Sequence, residues 1–119
     1  SEMKGIIKGF EPIDYVSKKT NQPVKGATIY FDCKSKDVFG CEGKSEYIAE
    51  SSPLYKRTIE PLLEKFFDES SDLYGGTIVI DYEVTKRGTA TFTQVVDLTI
   101  IPKAAETSEP QEKPVKKAG

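Results

Sequence analysis

The chain has 119 residues, a net charge of −2, no histidine and no tryptophan. A chain of this length holds one domain, and the missing histidine removes the commonest general base and the commonest metal ligand together, so catalysis is not expected. The acidic balance argues against duplex binding by bulk charge, since phosphate contacts need local cation density; a local basic path remains open.

The first strand is expected over Met3–Val16, with Gly5 and Gly9 permitting sharp curvature and Pro12 marking a bulge or bend. Ser17-Lys18-Lys19-Thr20-Asn21-Gln22-Pro23 is a polar turn. A second strand over Val24–Cys33 alternates: Ala27, Ile29, Phe31 and Cys33 on the core face, Thr28, Tyr30 and Asp32 on the other. Lys34-Ser35-Lys36-Asp37 turns into a third strand, Val38–Tyr47. A helix follows within Ser52–Phe67. Ser52 suits the cap and Pro53 the first turn. Leu54/Tyr55, Ile59, Leu62/Leu63 and Phe66/Phe67 form one apolar stripe, and Pro61 kinks the helix or delays its start to near Thr58. Tyr55, Phe66 and Phe67 are assigned to the core, with Phe31. Asp68–Gly76 is a breaker-rich loop. Strand four, Thr77–Lys86, alternates Ile78, Ile80, Tyr82 and Val84 against Val79, Asp81 and Glu83; Lys86-Arg87-Gly88 turns into strand five, Thr89–Ile101, which Pro102 ends. Up to Pro102 there are 13 basic against 16 acidic residues, a net of −3.

Three strands, a helix and two strands is the element order of an OB-fold. The expected fold is therefore mainly β: a five-stranded OB-fold barrel over residues 1–102 with a helix between strands 3 and 4. Residues 103–119, rich in Pro, Glu and Lys with Val115 the sole large apolar side chain, read as a flexible charged tail. No nucleophile elbow, phosphate-binding loop or dinucleotide fingerprint occurs. Cys33 and Cys41 without histidine make no ordinary zinc site and are expected as free, partly buried thiols. No cofactor, metal or small-molecule substrate is expected. Neither a signal-peptide pattern nor a run of membrane length appears, so a cytoplasmic protein is expected.

Function then rests on a binding surface. OB barrels bind on strands 2–3 and the loops joining strands 1–2 and 4–5. Single strands are held by stacking aromatics and a cationic groove. The aromatic candidates are Tyr30 on the non-core face of strand 2, Phe39 beside it on strand 3, Tyr15 before the first loop, Phe92 after the second hairpin, and Tyr47. Lys18, Lys19 and Lys25 flank the first loop, Lys86 and Arg87 occupy the second, and Lys44 lies on strand 3.

The fragment Val16-Ser17-Lys18-Lys19-Thr20-Asn21-Gln22-Pro23-Val24-Lys25-Gly26 resembles the first hairpin of small single-stranded-DNA-binding proteins of Gram-positive phages and conjugative plasmids. That turn and the closing Asp97-Leu98-Thr99-Ile100-Ile101-Pro102 also resemble the start and end of filamentous-phage gene V protein. The helix between strands 3 and 4 departs from the gene V pattern. The resemblance implies a protein that coats single-stranded DNA, as dimers or arrays, in replication or transfer. It implies stacking at Tyr30 and Phe39 and phosphate contacts at Lys18, Lys19, Lys25, Lys86 and Arg87, with single-stranded RNA as an open alternative ligand. The tail ends Val115-Lys116-Lys117-Ala118-Gly119, without the terminal aromatic of bacterial housekeeping relatives. The rival reading is a β-rich protein-interaction module without nucleic-acid binding.

Overall fold

Alternating apolar and polar residues give each strand two unlike sides, and pairing the strands joins those sides into two unlike sheet faces. The computed structural model describes residues 1–108. Five strands form one antiparallel sheet: β1 (Glu2–Val16), β2 (Pro23–Lys34), β3 (Cys41–Ala49), β4 (Thr77–Arg87) and β5 (Ala90–Ile101). Their order across the sheet is β3-β2-β1-β4-β5, which makes β3 and β5 the two edges. β1 pairs with β2 to its end, but with β4 only over Glu2–Ile6.

The inner face is the core. Ile7 lies opposite Phe31 and Phe10 opposite Ile29; Ile78 and Ile80 of β4 face Ile100 and Leu98 of β5. Ile7, Ile29, Ile78 and Ile80 are at most 1% exposed. Each such side chain contributes about 1.5–3 kcal/mol on burial. The helical segment between β3 and β4 closes the core, burying Tyr55, Ile59 and Phe66, and Leu73 follows in the loop.

That segment is irregular for a local reason. Pro61 has no N–H to give to the preceding turn. A π-helical turn (Tyr55–Ile59) therefore runs into a 3-10 turn (Glu60–Leu62), and α1 (Leu63–Phe66) starts only after it. Phe66 stacks on Phe10 with ring centroids 4.3 Å apart. Phe67, expected in the core, is 63% exposed and meets Phe10 only edge-on at 5.8 Å, because α1 ends there.

Two further expectations are corrected. The third strand begins at Cys41, not Val38. Ser35–Gly40 forms a turn, with the Asp37 amide donating to Ser35 Oγ (3.3 Å) and Gly40 at φ +94°, a conformation that favours glycine. The irregularity in β1 falls between Ile7 and Gly9, not at Pro12. Pro12 stays in the ladder opposite Ala27, where β1 has no strand on its other side and a missing N–H costs nothing. After Pro102 the chain forms a short helix, α2 (Lys103–Ser108), with the Lys103 amide donating to the Asp72 carbonyl at 2.7 Å; the remainder of the expected tail lies outside the described residues. Both cysteines are free thiols, Cys33 buried and Cys41 exposed. Cys33 pairs with Glu42 and Cys41 with Lys34, so the two do not face each other.

Candidate functional site

The outer face of β1, β2 and β3 carries three aromatic residues that the core does not use, Tyr15, Tyr30 and Tyr47. Tyr30 pairs with Ser45 across β2 and β3, and Thr28 pairs with Tyr47. Paired residues share a face, so Tyr30 and Tyr47 are diagonal neighbours, both 42% exposed. Tyr15, opposite Val24, lies farther along the same face and is 56% exposed.

Two glycines seat the rings. A Cβ added to Gly9 would stand 3.6 Å from Tyr30 Cβ and Cδ2, so the ring of Tyr30 lies over β1 where it meets no side chain. A Cβ on Gly26 would stand 2.9 Å from the Tyr47 hydroxyl. Each ring thus leans on a neighbouring strand and is anchored at its far end. The Tyr30 hydroxyl donates to Glu11 Oε1 (2.6 Å), and the Tyr47 hydroxyl donates to the Lys25 carbonyl (3.1 Å). The hydrogen bond to Glu11 holds the Tyr30 phenol above its ordinary pKa, with desolvation and the carboxylate charge adding to it. Anchored rings lose little entropy when a flat ligand settles on them.

The surrounding charge is mixed. Lys4, Ile6 and Lys8 alternate along β1, and Lys8 reaches Asp32 at 3.9 Å. A hollow of about 310 Å³ beside Tyr30 is lined by Lys8, Phe31, Asp32, Gly43, Lys44 and Ser45. Lys18 and Lys19 are exposed on the β1–β2 turn. That turn is well held. The Asn21 amide donates to the Ser17 carbonyl (2.8 Å), the Ser17 amide to the Gln22 carbonyl (2.9 Å), and the Lys19 and Thr20 amides approach Ser17 Oγ (3.3 and 3.4 Å).

The other candidates fall elsewhere. Phe39 is fully exposed at the tip of the β2–β3 turn and not beside Tyr30. The turn starts after Lys34, four residues along β2, roughly 13 Å at strand rise. Lys44 borders the hollow beside Tyr30, but it pairs with Phe31, so its side chain belongs to the inner side of edge strand β3, 3.9 Å from Glu42. Lys25, opposite Asp14, is exposed but also off the tyrosine face. The β4–β5 hairpin projects beyond Glu2, the first paired residue of β1, while the β1–β2 turn lies past its other end. The two basic loops therefore do not meet; they bracket the outer face from opposite ends. On the hairpin Thr85 pairs with Phe92 and Arg87 with Ala90, so Arg87 and Phe92 share a side, around a hollow of about 260 Å³. Lys86, opposite Thr91, is on the other side.

Lys4 and Lys8 are not among the residues expected at the site, and Gly9 is expected to permit curvature, not to seat a ring. The alternation Lys4-x-Ile6-x-Lys8 is visible in the sequence, but the irregularity after Ile7 shifts the phase, so that Glu11 and Tyr15 join the same face at odd positions. Among the described residues no cluster of His, Cys, Asp or Glu is arranged to hold a metal ion, and no helix is long and apolar enough to cross a membrane. No protein-family model, curated protein or solved structure matches this chain.

Proposed function

We propose that this chain is a largely sequence-independent single-stranded-DNA-binding protein, and that the outer face of β1, β2 and β3 is its binding surface. The observation that carries the reading is the pair Tyr30 and Tyr47: two exposed rings at diagonal positions of one face, each seated over a glycine of the next strand and anchored by its hydroxyl. Such rings suit base stacking, which tolerates any sequence because every base has a π-face. Lys18 and Lys19 supply cations at one end of the path, Lys4 and Lys8 along β1, and Arg87 with Phe92 at the other end. Two carboxylates on the face are already engaged, Glu11 by Tyr30 and Asp32 by Lys8, which lowers their cost to an approaching phosphate; Glu2 lies farther along β1, opposite Asp81.

The scaffold reading is an opened OB-fold. Bringing edge β3 round to edge β5 would close the five strands into a barrel, with the helical segment between β3 and β4 and the ligand on the strand 2–3 face. A role in replication or transfer of a phage or mobile element follows from the hairpin resemblance.

Fluorescence anisotropy with labelled oligo-dT, oligo-U and a duplex, each at low and high salt, tests the reading. Saturable binding of oligo-dT, weaker for the duplex and falling with salt, is expected. No binding to any single strand at low salt would end it. In that event the protein-interaction module, favoured by the open edge of β5, becomes the better account.

A further inference from the structure

The two edges of the sheet are protected differently. β3 carries Glu42, Lys44 and Glu46 at positions facing Cys33, Phe31 and Ile29. Inward-pointing charges of this kind block pairing with another sheet, and burial pushes the Glu46 carboxyl above its ordinary pKa. β5 has no such device over Ala90–Val96, which reads Ala-Thr-Phe-Thr-Gln-Val-Val, without charge, proline or glycine. Its later half is covered: Arg57 bonds Asp97 at 2.5 Å, and Arg57, Pro61 and Leu62 line a hollow with Leu98 and Ile100. Among the described residues, positions 8–16 of β1 and 83–87 of β4 also lack a strand on one side, but the first stretch contains Pro12 and the second carries Glu83, Lys86 and Arg87; Ala90–Val96 is open without charge or proline.

This stretch also belongs to an arm that stands clear of the sheet. Beyond Tyr82, whose amide donates to the Ser1 carbonyl (2.8 Å), β4 has β5 as its sole strand partner among the described residues. Every residue from Glu83 to Gln94 is exposed, including Val84 at 52% and Phe92 at 53%. A lone two-stranded ribbon is marginally stable in water.

We propose that Ala90–Val96 is a self-association edge whose occupant is the same stretch of a second copy, paired antiparallel about a two-fold axis near Thr93. A second copy fits because the arm is self-complementary in charge. Lys86 and Arg87 stand at its tip, and Asp81, Glu83 and Asp97 at its base. Antiparallel pairing sets the tip of each arm against the base of the other, as an isologous contact requires. Edge pairing uses backbone N–H and C=O groups and leaves the side chains of Arg87 and Phe92 on their face.

The test is the molar mass of the full chain without DNA, by sedimentation equilibrium over a concentration series; it is independent of the nucleic-acid reading. A dimer is expected. Thr91→Lys with Thr93→Lys places four cations at the axis and is expected to weaken the dimer at least tenfold, with the circular dichroism spectrum unchanged. Ser45→Lys, on the guarded edge, is expected to leave the mass unchanged. Hydrogen exchange should show the Ala90–Val96 amides slowed at high concentration. A monomer throughout, or a dimer indifferent to the β5 lysines, would overturn the proposal.

Discussion

On its inner side β2 sends Ala27, Ile29, Phe31 and Cys33 into a core where none is more than 4% exposed; on its outer side Thr28, Tyr30, Asp32 and Lys34 meet solvent. The backbone is the same, and the two sets differ by one residue of register. The inner set is explained by folding alone: removing apolar area from water stabilises the sheet against its entropy cost. Folding does not explain the outer set as well. A tyrosine leaning on a glycine does stabilise a strand pair, yet a ring at 42% exposure has a free side for a ligand. The comparison separates residues that hold the protein together from residues that await something.

The largest expected effect is on the inner side. Ile29→Ala leaves a cavity among Ile7, Phe31 and Ile48 and is expected to cost about 2–5 kcal/mol in urea unfolding. A loss below about 1 kcal/mol would mean that the core is not packed as described. Next come the rings. Tyr30→Ala and Tyr47→Ala are each expected to lower oligo-dT affinity by about 1–3 kcal/mol, with Tyr→Phe at both sites retaining most of it. If Tyr30→Ala instead unfolds the protein as severely as Ile29→Ala, the division between the two sides of β2 fails.

Smaller effects probe charge. Lys18→Gln with Lys19→Gln is expected to flatten the salt dependence of binding, by about 0.7 in log–log slope for each phosphate no longer neutralised. An unchanged slope would move the phosphates away from the β1–β2 turn. The smallest effect is on titration. The Tyr30 phenol is held above its ordinary pKa first by its bond to Glu11. A raised folded-state value means that this bond favours folding below the pKa of an unfolded tyrosine, and that the benefit is lost as pH climbs through the raised value. Glu11→Gln is expected to bring the Tyr30 titration down, measured as phenolate absorbance against a Tyr30→Phe control.

Much of the scaffold was legible because strand alternation reports burial directly. β2 and β4 match their expected bounds to within one residue at each end, and their expected facing, since Ile29/Phe31 and Ile78/Ile80 alternate without interruption. Two kinds of feature escaped. The first is a phase change: the irregularity at Ile7/Gly9 moves β1 from even to odd outward positions; Gly9 signals curvature but not a change of phase, so Lys4 and Lys8 were not connected with Tyr15. The second is a competition between strand and turn. Val38 and Phe39 look like strand residues, but Gly40 and the Ser35–Asp37 bond favour a turn, which carries Phe39 away from Tyr30. Tyr47 took its place beside Tyr30, a pairing that only the β2–β3 register reveals.

The most direct test of the central claim uses the protein's own emission. There are six tyrosines and no tryptophan, so intrinsic fluorescence reports on tyrosine alone. Titration with unlabelled oligo-dT at low salt is expected to quench it saturably, in step with anisotropy of a labelled strand, and Tyr30→Phe with Tyr47→Phe is expected to remove most of the quenching while binding persists. Saturated binding with unchanged tyrosine emission, or no binding at low salt, would contradict the claim that this face stacks nucleic-acid bases.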